Sequence, residues 1–149
     1  MLKTETVNYI NNLAKMASSY ASGHGRSVIA AEAYQKKNYL SDFAARYEIP
    51  GEELRLVPSE ETLGDIMTRW LCGEGKSRAK DRWIARWFCW LLHRYAGEPK
   101  SVHVLGEDRS VLELLSKTEG DDAPHYVVED LLFAIYPEGT LCFMLGHGA

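Results

Sequence analysis

The sequence predicts an α+β domain: a layer of about five N-terminal helices packed on a small, mainly antiparallel C-terminal sheet. Three observations predict it. Apolar residues recur at three- and four-residue spacing in several stretches before residue 97, the mark of amphipathic helices. Beyond residue 100 the pattern changes to short apolar runs, two of which flank a Pro-Glu-Gly turn. At 149 residues and 46% hydrophobic content the chain can fill one core but not two, so residues 1–149 read as a single domain.

The first helix starts at Thr4. Val7, Ile10, Leu13, Ala14, Ala17, Tyr20 and Ala21 mark its apolar face, and Asn8, Asn11, Asn12, Lys15 and Ser18 lie opposite. Gly23 suits a left-handed stop. After the loop "GHGRS" a second helical stretch is expected from near Ser27 to about Asn38. Ser41 suits the cap of a short helix through Tyr47, ended by "IPG". Residues 52–57 fit either a helical turn or a short strand.

Ser59, followed by Glu60 and Glu61, has the chemistry of a helix start, and Leu63, Ile66, Met67, Trp70 and Leu71 form the stripe that follows. That helix should stop at Gly73. Ser77 can cap the next, which runs to Gly97 with Pro99 beyond. With a loop of about five residues between them, the two helices should form an antiparallel hairpin over 60–96. "VHVL" at 102–105 reads as a strand, and Asp108 leads into a short helix carrying Val111, Leu112, Leu114 and Leu115. "EGDDAP" is a loop, and "LLFAIY-PEG-TLCFML" a β-hairpin.

Composition narrows the function classes. The longest unbroken apolar run is the six residues Trp87–Leu92, far short of a membrane span, and the first residues lack a signal peptide's apolar stretch. A soluble, cytoplasmic protein without membrane contact is expected. Cys72, Cys89 and Cys142 are widely spaced and sit in apolar segments, which suits buried free thiols. The net charge of −4 is uneven: residues 76–94 hold six Lys or Arg against Asp81 alone, a local +5 against −9 elsewhere. Binding of a long polyanion through the overall field is disfavoured, whereas local anion binding is not.

The stretch "DRWIARWFCWLLHRYAG", residues 81–97, concentrates both features. At 100° per residue Arg78, Cys89, Arg82, His93 and Arg86 fall in one arc about 80° wide, and Trp90, Trp83 and Trp87 fill the next 60° or so, with Arg94 among them. Apolar around most of its circumference, this helix reads first as the core's central helix. Its edge, Arg82, Arg86 and His93 beside Trp83 and Trp90, is the candidate ligand site, with guanidinium forks for an anion and indoles for stacking. A second candidate anion site is the loop Lys76, Ser77 and Arg78 at the helix start. "CGEGKS" is not a nucleotide-triphosphate loop, because Trp70 stands where the first glycine belongs. No His, Cys, Asp or Glu spacing calls for a metal or cofactor. Asp121, Asp122 and His125 share one loop and read as a solvated turn.

"FAARYEIPGEELRLV", residues 43–57, resembles the helix-turn-helix of DNA-binding repressors through Phe43, Ala44, Tyr47, Ile49, Leu54 and Val57. The resemblance implies that 52–57 opens a recognition helix. Three residues depart from the pattern. Glu48 replaces the turn's usual glycine, and Glu52 and Glu53 would face phosphates with like charge.

The reading that results is a non-catalytic binding or interaction module. Homo-oligomerisation is expected from an exposed edge at the C-terminal strand 140–145 and from surplus aromatic surface. The alternatives are a nucleic-acid binder, through segment 43–57 or the Arg/Trp groove, and a small enzyme acting on an anionic metabolite.

Overall fold

The computed structural model describes residues 2–21, 27–73, 78–118 and 126–148. In chain order the elements are α1 (Thr4–Tyr20), β1 (Ser27–Tyr34), α2 (Tyr39–Arg46), a one-turn 3-10 helix (Gly51–Glu53), β2 (Leu56–Pro58), α3 (Leu63–Cys72), α4 (Ala79–Ala96), β3 (Ser101–Leu105), α5 (Ser110–Thr118), β4 (Tyr126–Tyr136) and β5 (Gly139–Gly148). The fold is α+β. Its five strands form one antiparallel sheet in the order β1-β5-β4-β3-β2. Among the described residues no helix is long and apolar enough to cross a membrane.

Residues 27–34, expected to be helical, form strand β1. The alanine-rich run "AAEAY" favours a helix locally, but eight consecutive residues pair with β5, from Ser27 opposite His147 to Tyr34 opposite Thr140. Alternation supplies the rest: Ile29 and Ala31 enter one core cluster and Tyr34 the other. Tertiary pairing overrides a weak propensity. Residues 52–57 divide between the 3-10 turn and β2.

The helix-turn-helix likeness ends at its turn. Glu48 does take the left-handed conformation (φ 52°), as that position requires. Beyond it the chain makes one 3-10 turn and then pairs as β2 with β3, Leu56 opposite Leu105. No recognition helix follows.

Two core clusters divide the helices between the faces of the sheet. α1, α3 and α4 pack with Ile29, Leu132, Leu141 and Phe143. α2 and α5 pack with Leu131, Phe133, Cys142 and Met144 on the opposite face. The single helical layer expected from sequence is thus two layers with the sheet between them. A bulge in β4 between Val128 and Asp130 shifts the register, so that Val128 and Leu131, three apart, share a face.

The C-terminal strand is not an edge. β5 lies between β1 and β4, and its tail pairs as far as Gly148. The edges are β1 and β2. Short β2 ends on Pro58, which limits further pairing. Edge strand β1 is covered from α1: the Asn11 side chain donates to the Ala31 carbonyl and accepts from the Ala31 N–H, both at 2.8 Å, and Ser18 Oγ accepts from Ile29 N–H at 3.2 Å.

α3 is capped three residues later than expected, at Thr62 rather than Ser59. The Thr62 hydroxyl accepts from Asp65 N–H at 3.1 Å, while Ser59 closes a local turn with Glu61. α2 starts before Ser41, after Asn38 in the left-handed region. α4 ends as expected at Gly97, whose φ of 79° suits glycine. α3 and α4 run antiparallel: Cys89, late in α4, donates to the carbonyl of Gly64, early in α3.

Candidate functional site

α4 lies between α1 and α3, and its surface divides into the arcs expected from its sequence. Asp81, Ile84, Ala85, Phe88 and Leu92 are buried. The opposite arc carries the tryptophans, and here the core-helix reading is corrected. Trp83 is 67% exposed and Trp90 61% exposed, with Trp87 half-buried beside them. The apolar circumference of α4 exceeds what its neighbours cover, so two indoles stand in solvent.

α1 extends this aromatic strip. Tyr9, Met16 and Tyr20 recur at seven and four residues, the spacing of one helix face, and all three are exposed. The helices run antiparallel, so Tyr9 meets Tyr95 with ring centroids 4.6 Å apart. A hydrogen bond with Tyr95 pushes the Tyr9 phenol above its ordinary value. At the other end Met16 and Tyr20 face Trp83 and Trp87 across a groove of about 440 Å³ that also takes in Ile84 and Lys80. Tyr20, expected among the core residues of α1, is 57% exposed, and Ser18, expected outside, is buried.

Basic side chains border the aromatic strip. Arg86 sits one turn from both Trp83 and Trp90, and the Arg94 guanidinium lies 5.9 Å from the Trp90 ring centre, a cation–π contact. Arg82 and His93 are exposed farther round, towards α3. His93 lines a different cleft of about 310 Å³, with Cys89, Leu92 and the first residues of α3. The five residues of the expected site therefore do not converge: Trp83 opens towards α1, and His93 towards α3. In the expected anion loop, Lys76 and Ser77 fall outside the described residues, and Arg78 is the exposed residue preceding α4. Asp121, Asp122 and His125 also fall outside them.

Burial pushes the Cys89 thiol up, and the Thr68 hydroxyl offsets this only in part. Among the described residues no group of three His, Cys, Asp or Glu is placed to hold a metal ion.

Two polar clusters lie elsewhere. The β4 bulge aims Asp130 at α3, where Oδ2 accepts from the Trp70 indole at 3.1 Å and Oδ1 from Arg109 at 3.0 Å and its neighbour's Leu131 N–H at 2.8 Å. Arg69 stands 4.0 Å from Oδ2 and is itself held by Glu61 at 3.0 Å. A groove of about 680 Å³ opens beside this carboxylate. On the other face of the sheet Glu32 accepts from the Tyr34 hydroxyl at 2.7 Å and from the Tyr47 hydroxyl, with Arg46 at 3.4 Å. Burial, reinforced by the Glu32 bond, holds the Tyr34 phenol far above its ordinary value. Each cluster satisfies its carboxylate internally and ties elements together: α3, α5 and the bulge in one case, β1 and α2 in the other.

Sequence reasoning missed the contribution of α1 to the aromatic face. The spacing of Tyr9, Met16 and Tyr20 carried the signal, as a second stripe beside the core stripe. The Asp130 cluster had no local signal, since Trp70 and Asp130 are 60 residues apart.

No protein-family model, curated protein or solved structure matches this chain.

Proposed function

We propose that the protein is a non-catalytic binding module that engages a partner protein through the outer face of α1 and α4. The exposure of Trp83 (67%) and Trp90 (61%) carries this reading. Scattered apolar side chains are ordinary on a surface, but contiguous aromatic ones mark interaction sites. Tryptophan and tyrosine dominate interface energetics, and arginine joins them; all three occur here in one strip. Burying one such side chain contributes on the order of 1.5–3 kcal/mol. Oligomerisation through strand 140–145 loses its motive, because β5 is internal, whereas the surplus aromatic surface remains. A reducing, cytoplasmic setting suits the three free thiols.

The test is site-specific photo-crosslinking in the native host. A crosslinker replacing Trp83 or Trp90 should give discrete adducts, and one replacing Ser41, exposed on the opposite layer, should not. Equal adduct patterns at all three positions, or none at 83 and 90, would end this reading.

A further inference from the structure

We infer that the occupant of the α1/α4 face is an acidic amphipathic segment of another protein, anchored by a large apolar side chain in the groove between Met16 and Trp83. The inference rests on the proposed use of this face and adds the chemistry of the partner. Charge and shape carry it together. Within their helical spans α1 and α4 carry five Lys or Arg (Lys15, Lys80, Arg82, Arg86 and Arg94) against Glu5 and Asp81, and Asp81 is buried. The two helices together balance at +3 on a chain that totals −4, and Lys80, Arg86 and Arg94 are the basic residues beside the exposed indoles.

A second copy docking face to face would set Lys80, Arg86 and Arg94 against the same basic residues, and like charges across an interface cost affinity. An acidic segment meets the opposite sign. Its carboxylates reach Arg86 and Arg94 at the border of the strip, where guanidinium forks match carboxylate geometry. The groove of about 440 Å³, walled by Met16, Tyr20, Trp83 and Trp87, accepts the apolar side of the same segment. The layout is that of helix-in-groove recognition, with apolar anchors in the slot and charges at its border. Nucleic acid fits less well. Its phosphates recur along the whole strand and meet the repulsion of a net-acidic chain, whereas the few carboxylates of a peptide act locally.

The experiment titrates the full-length protein with three probes. These are a synthetic amphipathic peptide of Leu, Phe, Glu and Asp, the same peptide with Lys at every acidic position, and a twelve-residue oligothymidylate. Tryptophan fluorescence and the indole N–H signals report binding. The acidic peptide should bind with an affinity that falls as salt rises, and the Lys peptide should bind at least about tenfold more weakly. R86E/R94E should weaken the acidic peptide about tenfold and reverse the preference between peptides. W83S should weaken both peptides without changing that preference. All these positions are exposed, so the variants should keep the native circular dichroism.

Equal binding of both peptides, a preference for the Lys peptide, or binding of oligothymidylate alone overturns the inference. So does concentration-dependent self-association that W83S abolishes while neither peptide binds. Those results leave the crosslinking expected at Trp83 and Trp90 intact. Loss of the crosslinks removes the proposed function itself.

Discussion

The Asp130 carboxylate receives an indole N–H, a guanidinium and a backbone N–H from three directions, and its side chain is only 17% exposed. Asp130→Ala leaves the N–H of buried Trp70 without its acceptor and should cost about 2–3 kcal/mol in urea unfolding. Glu61→Ala, which removes only the exposed partner of Arg69, should cost less than about 1 kcal/mol. Equal losses would mean that Asp130 is no more than another surface ion pair. Glu48 illustrates a different residue-scale effect. Its φ of 52° lies in the left-handed region, where a side chain carries a penalty that glycine lacks. Glu48→Gly should raise stability by about 0.5–1 kcal/mol, read as a higher thermal midpoint; an unchanged or lower one would show that the Glu48 side chain makes a compensating contact. This position was legible in the sequence through the helix-turn-helix resemblance, whose turn usually carries glycine there. Asp130 was not, because neither its bulge nor its partners are local.

At the scale of elements, β1 explains both an error and a feature of the fold. Its alanine-rich sequence has no strong strand signature, and its identity is set by pairing with β5 along its whole length. On its outer side Asn11 from α1 supplies a donor and an acceptor to Ala31, as a neighbouring strand would. This covers an edge otherwise open to pairing with another chain. Asn11→Ala should lower stability by about 2 kcal/mol, one unit for each lost bond, and promote β-rich aggregation in light scattering. A variant that is destabilised but stays dispersed would separate stabilisation from edge protection. α4 shows what periodicity does establish. The arcs of arginines, tryptophans and core residues follow from 100° per residue, and they hold in the structure. Which arc lacks a neighbour does not follow from periodicity, and here it is the tryptophan arc.

At the scale of the whole molecule, buried groups that must stay protonated define how stability depends on pH. Burial raises the Cys142 thiol well above its ordinary value, and burial likewise raises the Tyr136 and Tyr34 phenols, the last with help from the Glu32 bond. In the unfolded chain these groups release protons at their ordinary values, whereas the folded chain retains them. Their contribution is complete below those values and is lost as pH rises above about 9 and towards the raised folded values. The urea midpoint should hold steady from about pH 7 to 8.5 and fall steeply by about pH 11. A midpoint that stayed flat would contradict the burial of all three groups. The segregation of charge belongs to this scale too: Lys80, Arg86 and Arg94 of α4 stand beside the exposed indoles. The sequence by itself determined the α+β class, the arcs of α4, its C-terminal end at Gly97 and the β4–β5 hairpin. These depend on spacing, turn chemistry and amounts of apolar surface, all of which are local or additive. Only the tertiary structure decided that residues 27–34 are a strand, that β5 lies inside the sheet, that Asp130 gathers Trp70 and Arg109, and that the tryptophans face outward. Each of these depends on which distant segment becomes a neighbour, and that is settled by competition among contacts over the whole chain.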